Sequence, residues 1–226
     1  IVATGARRGM PPIPGGDLPN VLSGDDMRKM MLGESSEELK RKTSLATRLA
    51  TKLGAATGLT ANLDFVRKAT RQWMPLGDHV VIVGGELVGL ELAEFLIERG
   101  RTVTVVDDAP RFGAGLTVVR RMRLLDELRE HDVAMFPSAS DIRIEPGFVC
   151  FNDAGGEARR PRADHVIVAK GATGDEALAD ALRAEGFAVQ AIGDCTGVSY
   201  IEGAMRGAAG AVEAILSPQP ATAMPG

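Results

Sequence analysis

The chain has 226 residues, of which 45% are hydrophobic, 25% charged and only 4% aromatic; this is enough apolar material for one large domain or two small ones and excludes a disordered tail. Its 26 basic and 30 acidic side chains leave a net charge of −4, which argues against a general attraction to nucleic acid or to an anionic membrane and points to a small partner. Neither a run of about 18 apolar residues nor a basic stretch leading into an apolar core occurs, so no membrane span and no secretory signal is expected and a cytoplasmic location is the default expectation.

The first five residues, Ile1 to Gly5, read as the end of a buried strand entering a glycine turn. With no initiator Met and nothing before it to start a sheet, a preceding N-terminal part is expected. Residues 6–24 carry Pro11, Pro12, Pro14, Gly15, Gly16 and Pro19, a composition of an extended, turn-punctuated connector. Ser23 with Asp26 resembles a capping box and predicts a short helix to about Met31, stopped by Gly33.

Two longer helices are expected next. Leu45, Leu49 and Leu53 lie at four-residue spacing before Gly54 and Gly58, and Phe65, Ala69 and Trp73 repeat that spacing before Pro75. Arg28, Lys29, Lys40, Arg41, Lys42, Arg48, Lys52, Arg67, Lys68 and Arg71 accompany them, as a solvated helix face or as a patch for an acidic group. Such a helix pair buries too little by itself and needs a surface to pack on.

The pattern changes at Gly77. Val80–Val83 is a short apolar run before a glycine turn, Leu87–Arg99 is helical, and Val103–Val106 is a second apolar run ending in Asp107 and Asp108. This is a βαβ unit of about 30 residues with parallel strands. A helix over Val119–Glu130 and a strand over Val133–Phe136 follow. Ile142–Glu145 and Phe148–Phe151, separated by Pro146 and Gly147, predict an antiparallel meander. Ala163–Ala169 is a buried strand, Asp175–Gly186 a helix, Val189–Ile192 a strand and Gly203–Leu216 a helix rich in small residues. The tail 218–226 is rich in Pro and Ala and is expected to fray.

The chemistry concentrates in the turn of the βαβ unit. In a dinucleotide fingerprint the first glycine makes the turn, the second admits the pyrophosphate to the backbone and the third packs helix on strand. Gly84 and Gly89 fill the first and third roles, with Gly85 between them, and Asp107 stands about twenty residues on, where a carboxylate meets an adenosine ribose and repels a 2′-phosphate. Glu86 occupies the middle position and puts a negative charge where diphosphate oxygens meet bare N–H groups. At about 4 Å and an effective dielectric near 20 each such pair costs roughly 4 kcal/mol, an upper bound because the side chain can turn to water. Two readings stay open: a loop reduced to a structural role, or a binding loop with Glu86 turned away.

Cys150 and Cys195 are too far apart for a CxxC pair and too few for an iron–sulfur cluster, and buried free thiols are the expectation. His79, His131 and His165 lack metal-ligand spacing and no metal is expected. Tyr200 has Ala204 where a short-chain dehydrogenase would need its lysine, and no side chain is nominated as catalytic.

Taken together, the segment Val2-Ala3-Thr4-Gly5-Ala6, the segment Pro12 to Gly15, the fingerprint from Val80 to Asp107, Ala169-Lys170-Gly171 and Ala191-Ile192-Gly193-Asp194-Cys195 resemble the C-terminal half of old-yellow-enzyme-type NADH:flavin oxidoreductases, the family of 2,4-dienoyl-CoA reductase and trimethylamine dehydrogenase. The resemblance covers the chain except for about residues 25–76. It implies an α/β architecture in which a Rossmann-like NAD(P)-binding domain is inserted in an incomplete FAD-binding domain that also carries a helical insertion. The divisions it implies are residues 1–24 as the end of a first FAD segment, 25–76 as the insertion, 77–174 as the NAD(P)-binding-like domain, 175–217 as the returning FAD segment and 218–226 as the tail.

FAD and NAD(P)H are the cofactors so implied. The resemblance further implies that FMN, an iron–sulfur cluster and the barrel that binds an enoyl- or dienoyl-type substrate would lie in a part N-terminal to this sequence. By this resemblance Gly5, at the exit from the FAD segment, and Gly171 would be cofactor-binding positions, together with Gly84, Gly85, Glu86, Gly89 and Asp107, and Gly193 and Asp194 resemble the returning motif whose aspartate meets the flavin ribityl chain, although a turn or cap aspartate is the alternative. Glu91 lies one turn into the helix, near a nicotinamide or in a surface pair. In such a fragment FAD is not expected to be retained, and NADH is expected over NADPH because Arg111 is the only basic residue near Asp107 and Asp108 in sequence. The competing class is a scaffold domain that binds at most an adenine nucleotide.

Overall fold

The computed structural model describes residues 1–27, 74 and 76–217. The two expected helices between Ser35 and Trp73, all ten basic residues named with them, and the tail lie outside these residues. The described chain forms two compact units, Gly9–Gly171 and a smaller one combining Ile1–Arg8 with the chain from Ala172 onward.

The larger unit is built on a five-stranded parallel sheet in the order β2-β9-β3-β4-β5. Here β2 is Val21–Ser23, β3 is His79–Val83, β4 is Thr102–Val106, β5 is Ala134–Phe136 and β9 is His165–Val168. The inner strands are β-branched runs buried on both faces, as a sheet covered on two sides requires. Alternation sorts them: Val80, Ile82, Val103, Val105 and Ile167 face helix α1 (Leu87–Ile97) and helix α2 (Val118–Glu130), which contribute Leu90, Ala93, Leu96, Leu124 and Leu128. Val81, Val83, Val106, Val166 and Val168 face the antiparallel meander of β6 (Ser140–Glu145), β7 (Phe148–Asn152) and β8 (Ala158–Arg159), which contributes Ile144, Val149 and Phe151. A two-bond pair from Arg120 to Glu94 ties α2 to α1.

One element of this sheet departs from the sequence reading. The expected connector 6–24 contains β2, which pairs in parallel with β9 through Val21↔Val166 and Leu22↔Ile167. Three residues after Pro19 and Asn20 carry too short a pattern to announce a strand, and the open edge of β9 recruits them. Ser23 then begins a helical stretch at 24–27, where its N–H donates to Asp26 Oδ2 (2.9 Å) while its Oγ accepts from the Asp26 N–H (3.0 Å). Both reciprocal bonds of the capping box form, with Asp serving in place of Glu. Residues 9–24 thus lie in the larger unit, and 172–174 in the smaller, whereas the sequence divisions fall at 24 and 174.

In the smaller unit β1 (Ala6–Arg8) pairs antiparallel with β10 (Ala172–Gly174), and Arg7 pairs with Asp175. Val2 bridges Ala191 in parallel, with Val2 N–H to Gln190 O at 2.8 Å and Ile192 N–H to Val2 O at 2.9 Å. The strand expected over Val189–Ile192 is therefore reduced to this single bridge. Helix α3 (Ala177–Ala184), a 3₁₀ turn at Gly193–Thr196 and helix α4 (Tyr200–Leu216) complete it.

Cys150 and Cys195 are both buried and free. His165 Nδ1 accepts from the Gly77 N–H (3.0 Å), and burial lowers its pKa despite the nearby Asp164. Among the described residues no helix is long and apolar enough to cross a membrane.

Candidate functional site

The turn between β3 and α1 sits at the C-terminal edge of the parallel sheet, the edge on which open α/β sheets bind ligands. Gly84 takes φ +120°, a conformation that L side chains rarely adopt. A Cβ on Gly89, in the first turn of α1, would lie 1.8 Å from the Gly84 carbonyl oxygen. Helix and turn therefore approach to a distance that only hydrogen at this position permits.

Gly85 is enclosed as well. A Cβ there would meet the Phe112 ring at 2.0 Å, and Gly113 N–H donates to Gly85 O (2.7 Å). The segment that follows β4 thus folds back over the glycine turn, held by a bond from Arg121 Nε to Phe112 O (2.6 Å). Its Ala114 carbonyl accepts from the N–H of Leu87 (2.9 Å), the first residue of α1. Gly84 N–H in turn donates to Val106 O (2.9 Å). Donors that a diphosphate would use are in part satisfied by the protein itself.

Glu86 is the N-cap residue of α1, with extended backbone and an exposed side chain that does not cap the helix. Its outward placement weakens the repulsion expected from sequence, since a charge in water is screened. Glu91 is exposed on the same helix.

Asp107 departs from its expected posture. It is only 1% exposed and turns under the glycine loop, where Oδ2 accepts from Gly85 N–H and Oδ1 from Ala109 N–H (3.0 Å) and from Lys170 Nζ (2.9 Å). Burial opposes its ionisation, but the bonds from Ala109, Gly85 and Lys170 outweigh it and hold its pKa below the ordinary carboxylate value. Lys170, in the segment that leaves β9, also reaches Asp108 Oδ1 at 2.5 Å. Burial works against its ammonium, and the bonds to Asp108 and Asp107 outweigh that and raise its pKa. Arg111 is therefore not the only basic residue available to the two aspartates, because the fold brings Lys170 to both.

Gly171 has φ +104° and no room for a Cβ, which would meet Gly9 O at 2.4 Å; its own carbonyl accepts from Gly9 N–H (3.0 Å). Gly84, Gly85, Glu86, Gly89, Asp107 and Gly171 all belong to the larger unit, whereas Gly5, Gly193 and Asp194 belong to the smaller. Gly5 has φ +77° and Gly193 φ +71°. Asp194 Oδ1 accepts from the N–H of Ser199, the N-cap residue of α4 (3.0 Å), so at least one of its oxygens serves the local turn. Lys170 and Phe112 escape a linear reading, although a cation directly after a buried strand was visible in Ala169-Lys170-Gly171. Among the described residues no group of His, Cys, Asp and Glu is arranged to hold a metal ion.

Residues 1–194 match the family described as pyridine nucleotide-disulphide oxidoreductase. The chain is 31% identical over 122 residues to a bilirubin reductase of Mediterraneibacter gnavus, covering 54% of this chain and 19% of that protein. It is 28% identical over 180 residues to a cinnamate reductase of Clostridium sporogenes, covering 76% and 27%. Among solved structures it is similar in fold to a 2-naphthoyl-CoA reductase (TM-score 0.60, 24% identity, 90% of this chain and 24% of that one). A histamine dehydrogenase from Rhizobium sp. 4-9 shares the fold at TM-score 0.64 and 16% identity, covering 98% and 31%. The chain thus spans about a quarter or less of the length of these two curated relatives.

Proposed function

Because the chain belongs to the pyridine nucleotide-disulphide oxidoreductase family, we propose that it is the nucleotide-binding part of a larger flavin-dependent oxidoreductase of the old-yellow-enzyme type, acting on an enoyl- or dienoyl-type substrate held elsewhere in the protein. The observation that carries this reading is the Gly84–Gly89 turn, whose backbone geometry tolerates no side chain at either end and opens on the C-terminal edge of a parallel sheet. The names of the reductases matched in sequence support the reaction class.

When bound, NAD(P)H supplies a hydride and FAD takes it up for onward transfer; FMN and an iron–sulfur cluster would belong to a barrel-bearing part. The residues of this chain bind and orient. Gly84, Gly85 and Gly89 keep the turn free of side chains so that a diphosphate can approach the start of α1. Asp107, fixed by Gly85, Ala109 and Lys170, holds that turn in shape from beneath. Gly5, Gly193 and Asp194 would face the flavin nucleotide, with the Asp194 carboxylate accepting from the ribityl chain.

A second reading has its own observation. The bond from Leu87 N–H to Ala114 O, with Phe112 seated on Gly85, fits a scaffold domain whose glycine turn is filled by its own chain and which binds at most an adenine nucleotide. Calorimetric titration with NADH and with ADP separates the two. The reductase reading expects measurable NADH binding that changes little in Glu86→Gly, since the glutamate already stands in water; a gain of about ten- to a hundredfold would mean that its charge still opposes the diphosphate. A partial gain in Glu86→Gln that shrinks with added salt isolates the charge. ADP binding without any NADH contribution in either protein selects the scaffold.

A further inference from the structure

The expected ribose ligand, Asp107, is engaged by three protein donors and almost wholly buried. At the same place on the sheet edge, the next residue carries the exposed charge. The Asp108 side chain is 71% exposed, and its partner Lys170 is 23% exposed between it and Asp107. The two contacts of the ammonium differ in kind. Its bond to Asp107 joins a half-buried ammonium to a buried carboxylate, where removing the cation leaves the buried charge without it. Its bond to Asp108 is an exposed pair, loosely held and readily traded for another anion. Lys170 is thus a cation with one fixed and one exchangeable partner, at the end of the strand pair where the adenosine ribose of a dinucleotide lies.

Resting on the dinucleotide reading above, we propose that Lys170 and Asp108, rather than Asp107, read the 2′ position of the adenosine ribose, Lys170 exchanging Asp108 for a 2′-phosphate so that the site accepts NADPH as well as NADH. With a 2′-hydroxyl, Asp108 stays on Lys170 and its second oxygen accepts from the ribose. With a 2′-phosphate, Asp108 swings into water and the ammonium, a point charge without the planar demands of a guanidinium, pairs with a phosphate oxygen. Arg111, exposed on the segment that follows β4, adds a second cation on the side of Asp108. Asp107 keeps its bonds throughout, so the glycine turn does not move.

The test is calorimetric titration of NADH and NADPH into the wild type, Lys170→Met and Asp108→Asn. Lys170→Met is expected to weaken NADPH at least about tenfold more than NADH, and Asp108→Asn to strengthen NADPH about three- to tenfold while weakening NADH, whose ribose loses its charged acceptor. The NADPH-specific difference should shrink as salt is raised. Equal loss for both cofactors in Lys170→Met would overturn the proposal, because Lys170 would then act only by holding Asp107 under the turn. Asp108→Asn, on the exposed rim, keeps the question open to refutation if Lys170→Met does not fold: unchanged NADPH affinity in that variant also overturns it. NADH binding that persists while selectivity is unmoved sinks this inference alone; no binding of either cofactor by wild type or Glu86→Gly sinks the dinucleotide reading with it.

Discussion

The glycine turns that precede α1 and α4 are built to different standards. The turn from β3 into α1 is closed on itself: Gly89 presses on Gly84, Phe112 seals Gly85, Asp107 and Lys170 fasten it from below, and α1 buries Gly89, Leu90, Ala93 and Leu96 within eleven residues. The turn into α4 is close at Gly203, where a Cβ would meet the Ser199 side chain at 1.9 Å, but has room at Gly193 itself. A Cβ on Gly193 would come no nearer than 3.9 Å to Ala204, and of the seventeen residues of α4 only Ala211 is buried, while Ile201, Met205, Val212, Ile215 and Leu216 lie exposed. A glycine turn that leaves a full strand of a covered sheet is thus rigid and pre-formed, and one that leaves a single bridge and passes through a 3₁₀ turn into a largely exposed helix is more loosely held.

The widest gap between the turns is expected on adding a methyl group. Gly89→Ala forces a Cβ against the Gly84 carbonyl and should cost about 3 kcal/mol or more by urea denaturation; a loss below about 1 kcal/mol would mean that the turn relaxes and is not the rigid partner of the comparison.

Next in size is the fastening of the closed turn. Asp107→Asn leaves Lys170 without a buried counter-charge and exchanges charged for neutral acceptors, and should cost about 2 kcal/mol. If the variant melted like wild type, the turn would be held by packing alone.

The third prediction concerns pH. Asp164 accepts from His79 N–H (2.9 Å) and from Arg162 (2.8 Å) at the entry to β3 and β9, and these bonds lower its pKa to about 2, the His79 N–H contributing most. A carboxylate depressed in the folded state contributes stability that is present above its unfolded value of about 4 and lost as pH falls toward 2. Replacement by Asn should therefore flatten the stability profile of the larger unit between about pH 4 and 2, by about 1 kcal/mol after solvent screening. An unchanged acid limb would assign the loss to other carboxylates.

The smallest effect has the opposite sign. Gly210 lies inside α4 with nothing within 4 Å of an added Cβ, so Gly210→Ala should stabilise by about 0.5–1 kcal/mol through helix propensity. Destabilisation there would show that α4 is covered at this position and would narrow the contrast between the two turns.

Periodicity and glycine chemistry are local, and what depends on them was legible in the amino-acid sequence. The apolar run of Val80 to Val83, the helical run from Leu87 and the apolar run to Val106 announced the βαβ unit; Pro146 and Gly147 announced the meander; Ser23 and Asp26 announced a capping box whose two bonds both form. Gly84 and Gly89 were identifiable because a positive φ and a closed helix–turn contact each demand glycine within a few residues. Other features were decided only by tertiary structure. β2 exists because β9 offers an unpaired edge to three residues that could not signal a strand alone. Asp107 turns inward because Gly85, Ala109 and Lys170 converge on it, and Lys170 stands 63 residues away in sequence. A chain pattern records which face a residue prefers; which charge meets which is set by the order in which distant strands lie side by side, and only the assembled sheet fixes that order.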